Sequence, residues 1–482
     1  MKELSLKLAA SKKPEYLRIA DAVRAAFHDG RIAPGESLPS TRELAADLGC
    51  HRHTVMSALE ELVAEGWLVA QQRKSYSASQ TLPTGFFEPG RPSGRPLARR
   101  RHQWRLARSP QLEPLASGRY PFKHNFVVGP DLRLFPFDEF KTHLNDSLRR
   151  SGARLFDYGD PFGQPALIAE LNTYLRRMHA IKERRIIVTH GSQEAIYLAA
   201  QLLLRPGDEV AVESLGYKPA FAALRAAGAR LVPISTDAEG INCDELKRAC
   251  SRGRLRLIYI TPLHQYPTTV TLTVSRRLRL YELASRHGVP ILEDDYDHEF
   301  HYRCQPLPPM ASDDPGQLII YVSTFSKVFS PSARIGFMAV PEALAKPLSN
   351  LRRIITRQND YLMQDAVARW MRSGGFERHL RRTRRVYEER RDALIECLET
   401  GRRGGLPLSW IPPDGGMAVW LNIGADARKA AKLADQEGIY VSHEGEHQLI
   451  RGPSRHLRLG FANQTPEEIR PGMEKILAVL RR

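Results

Sequence analysis

Cysteine is scarce in this chain: five among 482 residues, scattered as Cys50, Cys243, Cys250, Cys304 and Cys397 with no CxxC pairing. That usage excludes a disulfide framework, argues against a structural zinc site and fits a reducing compartment. Long apolar runs are lacking too. No stretch approaches the roughly 20 residues needed to cross a bilayer, and Met1-Lys2-Glu3-Leu4 does not begin an apolar signal segment. A soluble cytoplasmic protein without a membrane partner is expected. Acidic residues are in deficit, 54 Asp and Glu against 71 Lys and Arg, for a formal charge of +17. The excess favours a polyanionic partner, although charge alone says nothing about which one.

The length exceeds one ordinary domain and supplies ample material for a large core. Composition divides it into three. Residues 1–80 hold short helical patterns. Residues 81–120 are rich in Pro, Gly and Arg and show no periodicity. From 121 to 482, apolar strand-like runs alternate with amphipathic helical stretches, the mark of an α/β fold with a mostly parallel central sheet. The middle segment carries Arg91, Arg95, Arg99, Arg100, Arg101, Arg105 and Arg108, with no acidic residue between Pro89 and Gln111. It reads as a solvated, self-repelling tether, with contact to DNA phosphate as the alternative.

In the first region, Tyr16, Ile19, Val23 and Phe27 mark one face of a helix that ends by Gly30. Ser40-Thr41-Arg42-Glu43 has the S-x-x-E form of a capping box and begins a short helix that stops at Gly49. A third helix, with Val55, Leu59, Leu62 and Val63 at core spacing, runs to Gly66. Two short helices joined by a Gly-containing turn form a helix-turn-helix pattern. The start of its last helix meets base edges, which places Arg52, His53 and Thr54 there, exposed. Ser40 and Arg42 complete the candidate DNA-binding set, Arg42 reaching the backbone or a base. Trp67-Leu68-Val69 and a basic turn at Arg73 and Lys74 make a small β-wing. Without the motif resemblance below, a plain three-helix bundle fits the same spacing.

In the last region, Leu318-Ile319-Ile320-Tyr321-Val322 is an apolar run that leads into Ser323-Thr324-Phe325-Ser326-Lys327. Val289-Pro290-Ile291-Leu292 leads likewise into Glu293-Asp294-Asp295-Tyr296-Asp297. Each reads as a buried strand, and ligands of open parallel sheets bind at the carboxyl ends of the strands. An amine and a carboxylate placed there suit a carbonyl cofactor: Lys327 as its imine partner, Asp294 as the acid that keeps a pyridine nitrogen protonated. Ile186-Ile187-Val188-Thr189 is a strand before His190-Gly191-Ser192-Gln193, where a glycine and a helix amino terminus suit a phosphate. Ser326 and Arg334 complete that cradle. Tyr296 is placed to meet a ring hydroxyl and Tyr217 to stack on the ring. Arg458, on the alternating segment His456–Phe461, is placed to clamp a substrate carboxylate. Taken singly, each of these residues also fits ordinary surface or core.

The phrases Tyr158-Gly159-Asp160-Pro161, Gly191-Ser192-Gln193, His264-Gln265-Tyr266-Pro267-Thr268, Glu293-Asp294-Asp295-Tyr296-Asp297 and Thr324-Phe325-Ser326-Lys327 resemble those of fold-type I, pyridoxal-phosphate-dependent aminotransferases. Pro39-Ser40-Thr41-Arg42-Glu43-Leu44-Ala45 and His51-Arg52-His53-Thr54-Val55 resemble the GntR-type winged helix. Joined, they resemble the MocR subfamily of GntR regulators. The resemblance implies pyridoxal 5'-phosphate held as an imine by Lys327. Asp294 and Tyr296 would meet the ring, and Tyr217 would stack on it. Ser192, Gln193, Ser326 and Arg334 would hold the phosphate, with Tyr158 reaching the neighbouring subunit's phosphate in a head-to-tail homodimer. Four departures stand out. His51 replaces a capping Ser, Gln71–Tyr76 replaces a Gly-Ser-Gly wing tip, Thr269 replaces a Gly, and Ser214-Leu215-Gly216 replaces an acidic-Pro-Gly lead. Pro219 stands where a GABA-responsive member carries a second carboxylate-binding arginine, which speaks against an effector with GABA's contacts.

The function expected is a transcriptional regulator that binds an operator in double-stranded DNA and senses a small amine or amino acid by imine exchange at Lys327. Two alternatives stay open: a working aminotransferase, at least through a half-reaction, and a regulator that senses pyridoxal phosphate itself.

Overall fold

The computed structural model describes residues 4, 6–9, 11–71, 75–81, 124–303 and 305–482. The arginines of the 81–120 segment and the wing-tip residues Arg73 and Lys74 lie outside the described residues. The chain divides into two compact units, Met1–Ala107 and Arg108–Arg482.

The smaller unit is built on three helices, α1 (Glu15–His28), α2 (Thr41–Leu48) and α3 (Arg52–Ala64), followed by the antiparallel strands β1 (Leu68–Gln71) and β2 (Ser75–Ala78). Ile19, Val23 and Phe27 of α1 are fully buried against Val55, Leu59 and Leu62 of α3. The capping box forms as its spacing predicts. Ser40 Oγ accepts from the Glu43 amide at 3.3 Å, and Glu43 Oε2 accepts from the Ser40 amide at 2.7 Å. Gly49 ends α2 in the left-handed conformation that suits glycine (φ 62°).

In the larger unit a seven-stranded sheet runs in the order Arg185–Thr189, Gly336–Val340, Ile319–Thr324, Ile291–Asp295, Leu255–Ile260, Glu209–Glu213, Arg230–Ile234. All neighbours are parallel except Gly336–Val340, which is antiparallel to both of its partners. The strands read as continuous apolar runs because helices cover both faces. Ile187, Val212, Leu257, Leu292, Val322 and Met338 pack on one side with Ala195 and Leu198 of helix Ser192–Leu203. Their alternates Ile186, Val188, Ile258, Ile291, Tyr321 and Phe337 pack on the other side, with Leu171 and Leu175 of helix Pro165–Met178. A three-stranded antiparallel sheet, with His456–Gly460 at its centre between Ala418–Asn422 and Ser442–His443, belongs to the same unit. The 29-residue helix Gly375–Arg403 packs against the carboxy-terminal helix Pro466–Leu480. Among the described residues no helix is long and apolar enough to cross a membrane.

One glycine sets how closely the antiparallel strand lies beside the loop that follows Thr189. A Cβ added at Gly336 would fall 2.7 Å from Gly191 backbone carbon and 2.9 Å from the Ser323 carbonyl oxygen. Backbone cannot move aside as a flexible side chain can. Gly336→Ala is expected to cost about 1–3 kcal/mol through overpacking, read as a lower urea midpoint with an unchanged slope. An unaltered midpoint would show that the loop relaxes freely.

Candidate functional site

The carboxyl ends of the parallel strands converge on one cavity, lined by Val128, Ser192, Gln193, Tyr217, Thr261, Tyr266, Asp294, Tyr296, Thr324, Ser326, Lys327, Arg334 and Arg458. Nine residues singled out in the sequence therefore meet in space: Lys327, Asp294, Tyr296, Tyr217, Ser192, Gln193, Ser326, Arg334 and Arg458.

The strands Ile291–Asp295 and Ile319–Thr324 are neighbours in register, Asp294 opposite Val322, so their ends deliver a carboxyl group and an amine to the same edge. Lys327 Nζ donates to the Val128 carbonyl at 3.3 Å. Desolvation brings its ammonium down to about 8, aided by repulsion from Arg458 and opposed by Asp297. Asp294 moves the other way. Burial pushes its carboxyl up to about 7, against a hydrogen bond from Tyr259 and with the charges of Asp295 and Asp297. Its Oδ2 accepts from the Tyr259 hydroxyl at 2.8 Å, while Oδ1 is buried without a partner.

Gly191 turns the chain into helix Ser192–Leu203 with φ 77°, and no side chain caps that helix. A Cβ on Gly191 would lie 3.1 Å from the Arg334 guanidinium, which itself donates to the His190 carbonyl at 2.6 Å. Ser326 Oγ accepts from Thr324 Oγ1 at 2.9 Å, and Gln193 Nε2 donates to the Pro219 carbonyl at 2.8 Å, leaving its side-chain Oε1 buried without a partner. Unpaired amides, a guanidinium and hydroxyls together make an anion site.

The opposite wall is aromatic. Tyr266 makes edge contacts with Tyr217 at 5.5 Å and Tyr296 at 6.0 Å. Arg458 lies over the Tyr266 ring at 4.2 Å, with Nε donating to the Pro267 carbonyl at 3.2 Å. Tyr296 donates to the His264 carbonyl at 3.0 Å, and His264 Nδ1 sits 2.7 Å from Asp297 Oδ1. Thr269, where a Gly was expected, takes φ 64°. A β-branched residue is strained there, so the position explains the expected glycine.

Two sequence-predicted residues stand apart from the cavity lining. Tyr158 is exposed and carries the Arg357 guanidinium 4.9 Å above its ring. Gly191 shapes the cradle through its backbone. Tyr259 and Tyr266 went unassigned in the sequence. A tyrosine inside the apolar run Leu255–Ile260 was the only signal for the first, and the second lay within His264–Thr268, one of the segments that carry the resemblance.

In the smaller unit Ser40, Arg42 and His53 are exposed, while Arg52 and Thr54 are half-buried rather than fully exposed as expected. The reason for Arg52 is local: its Nε donates to Thr41 Oγ1 at 3.0 Å, which draws the side chain against α2. His51 is the N-cap of α3 and makes no side-chain cap bond, as the missing serine implies.

With this geometry in view, two family models match the chain: aminotransferase class I and II over residues 114–476 and bacterial regulatory proteins, gntR family, over residues 15–77. The probable rhizopine catabolism regulatory protein MocR of Rhizobium meliloti is 30% identical over 475 residues, covering 96% of this chain and 93% of that protein. The HTH-type transcriptional regulator TauR of Rhodobacter capsulatus is 28% identical over 483 residues, covering 96% of each. Among solved structures, Pyrococcus horikoshii kynurenine aminotransferase in complex with PMP superposes with a TM-score of 0.70 at 26% identity, covering 75% of this chain and 91% of that one.

The lowered Lys327 sets a pH dependence. Its folded value lies below the unfolded one, so between about 8 and 10.5 the unfolded chain binds more protons and stability rises with pH. Replacing the lysine by an uncharged side chain removes that term. In the cofactor-free protein, the stability advantage of Lys327→Met over wild type should shrink as pH rises through this window in urea titrations. A pH-independent difference would show an amine that titrates normally.

Proposed function

From membership of the MocR subfamily of GntR-type transcriptional regulators, to which this chain belongs, we propose that it binds an operator in double-stranded DNA and senses an amine or amino acid through pyridoxal phosphate held at Lys327. One observation carries the reading: an amine brought down to about 8 shares a cavity with a buried carboxyl group whose Oδ1 lacks a donor.

The residues fit the cofactor. A protonated pyridine nitrogen is the donor that Asp294 Oδ1 lacks, and Tyr259 holds the other oxygen in place. The uncapped start of helix Ser192–Leu203, with Gln193, Ser326 and Arg334, receives the phosphate. Tyr217 would stack on the ring, and Tyr296, whose hydroxyl donates to the His264 carbonyl, would accept from the ring hydroxyl. Arg458, already flattened on Tyr266, receives an effector carboxylate. When bound, the cofactor would supply an electrophilic carbonyl carbon, for which Lys327 is the resident amine and the effector a competing one.

Freed Lys327 changes the charge balance of the cavity beside Arg458 and Asp297. A response at the operator then requires that the effector bind two states of the large unit with different affinity. The working form in this reading is a cytoplasmic head-to-tail homodimer, in which exposed Tyr158 reaches the partner's phosphate site. Residues 1–80 serve as the DNA-binding domain, 81–120 as linker and 121–482 as the effector domain. Ser40, Arg42, Arg52, His53 and Thr54 face DNA.

The same residue set supports a second reading, a working aminotransferase. Sustained transfer from an amino donor to a 2-oxo acid would favour it, and an operator response to pyridoxal phosphate alone would make the vitamin the effector.

Lys327→Ala is expected to lose the yellow absorption and the effector response while keeping basal DNA binding; unchanged absorption would remove the lysine from the mechanism. Arg52→Ala should weaken operator binding by about 1–3 kcal/mol relative to unrelated DNA. Equal loss on every sequence would instead mark a phosphate contact.

A further inference from the structure

Strand alternation sends Asp295 to the face of the sheet opposite Asp294, into a second buried cluster that the sensing cavity does not use. His179 ends helix Pro165–Met178, and His298 lies three residues beyond Asp295. These three side chains are 1%, 4% and 3% exposed for His179, His298 and Asp295. One donor atom from each lies within 4.8 Å of the others. The two imidazoles face each other with centroids 3.8 Å apart.

Hydrogen bonds fix which atoms are left over. Asp295 Oδ2 accepts from the Tyr321 hydroxyl and from His298 Nδ1, both at 2.9 Å. Tyr321 has a single hydrogen, so its oxygen accepts from His179 Nδ1–H at 2.9 Å. That tautomer leaves His179 Nε2 as a bare lone pair, and it is buried without a partner, as is Asp295 Oδ1. Two orphaned acceptors in one dry cluster are costly unless an electron-poor group satisfies them. Two more buried carboxyl groups stand close in sequence, with neutral partners: Glu293 accepts from the Met310 and Ala311 amides, and Glu299 from the Tyr174 hydroxyl.

We propose that His179, Asp295 and His298 form a binding site for a divalent transition metal of the zinc class. Two imidazoles and a carboxylate are the donor set such ions take. The Tyr321 hydroxyl holds His179 Nδ1, the kind of outer hydrogen bond that orients a metal-ligating imidazole, and the ion would displace the proton that His298 Nδ1 donates to Asp295. Tetrahedral coordination needs the donors about 3.3 Å apart, given metal–ligand bonds of about 2.0–2.1 Å. Reaching that spacing requires the stacked rings to turn until their in-plane lone pairs converge on the ion. A site this enclosed is structural: it ties the end of helix Pro165–Met178 to the end of strand Ile291–Asp295.

The test uses tag-free, full-length protein equilibrated with Zn2+ and dialysed into metal-free buffer. Elemental analysis should return about one zinc per chain. His179→Ala and His298→Ala should each lower zinc affinity at least about tenfold, whereas His287→Ala, at an exposed histidine, should not. Diffraction from wild-type crystals at the zinc absorption edge gives a reading that does not depend on the variants folding. It should place an anomalous peak among the three side chains. Wild-type protein with no stoichiometric zinc, retention in both folded variants, or a peak elsewhere would each overturn the proposal.

Discussion

Desolvation of opposite charges at one sheet edge is the constraint on which the cavity depends. Burial at the ends of strands Ile291–Asp295 and Ile319–Thr324 pushes Asp294 and Lys327 toward their neutral forms, whereas Asp295, on the other face, is held charged by His298. Lys327 falls to about 8 and Asp294 rises to about 7, so an amine and an acid of ordinarily distant strengths come within reach of each other near neutral pH. Neither value needs an unusual residue. Both follow from placing common side chains at the end of apolar strands covered on two faces.

Holding such groups ready has a structural cost, and the chain meets it with backbone. Gly336 lets the antiparallel strand lie against the turn at Gly191, which keeps the helix amino terminus bare and beside Arg334. Thr269 accepts a left-handed conformation that a β-branched residue resists, and it lies two residues past Pro267, whose carbonyl oxygen takes the Arg458 hydrogen bond. The orphaned Oδ1 of Asp294 is the same kind of cost in polar form. Strain and unmet hydrogen bonds gather where a ligand would relieve them.

What was legible in the sequence was whatever depends on local pattern. Apolar runs ending in Lys327 and Asp294 located both strands and, by the strand-end rule, the cavity. The capping box at Ser40 and the glycine at position 49 set the ends of α2. Contacts between distant segments were not legible. Tyr259 reaches Asp294 because Leu255–Ile260 is the parallel neighbour of Ile291–Asp295, a fact of register that no single segment states. His179 and His298 come together only through the packing of a helix end on a strand end. Arg52 was half-misjudged for the same reason: its bond to Thr41 crosses from one helix to the next.

Lys327 also bears on the choice between sensing and catalysis. An amine near 8 is partly neutral at physiological pH, so capture and release of a carbonyl carbon are both accessible, which is what an equilibrium sensor requires. A catalyst requires more from the same residue, because the freed amine must then move a proton on the bound substrate and the product must leave. The side chains that the proposed capture would use line the cavity: the lysine, the acid, the anion cradle and the arginine. None of them demands turnover. A helix-turn-helix joined to such a cavity gives reversible capture a use of its own, since only the difference in affinity between two states has to be transmitted, and no chemical step has to be completed.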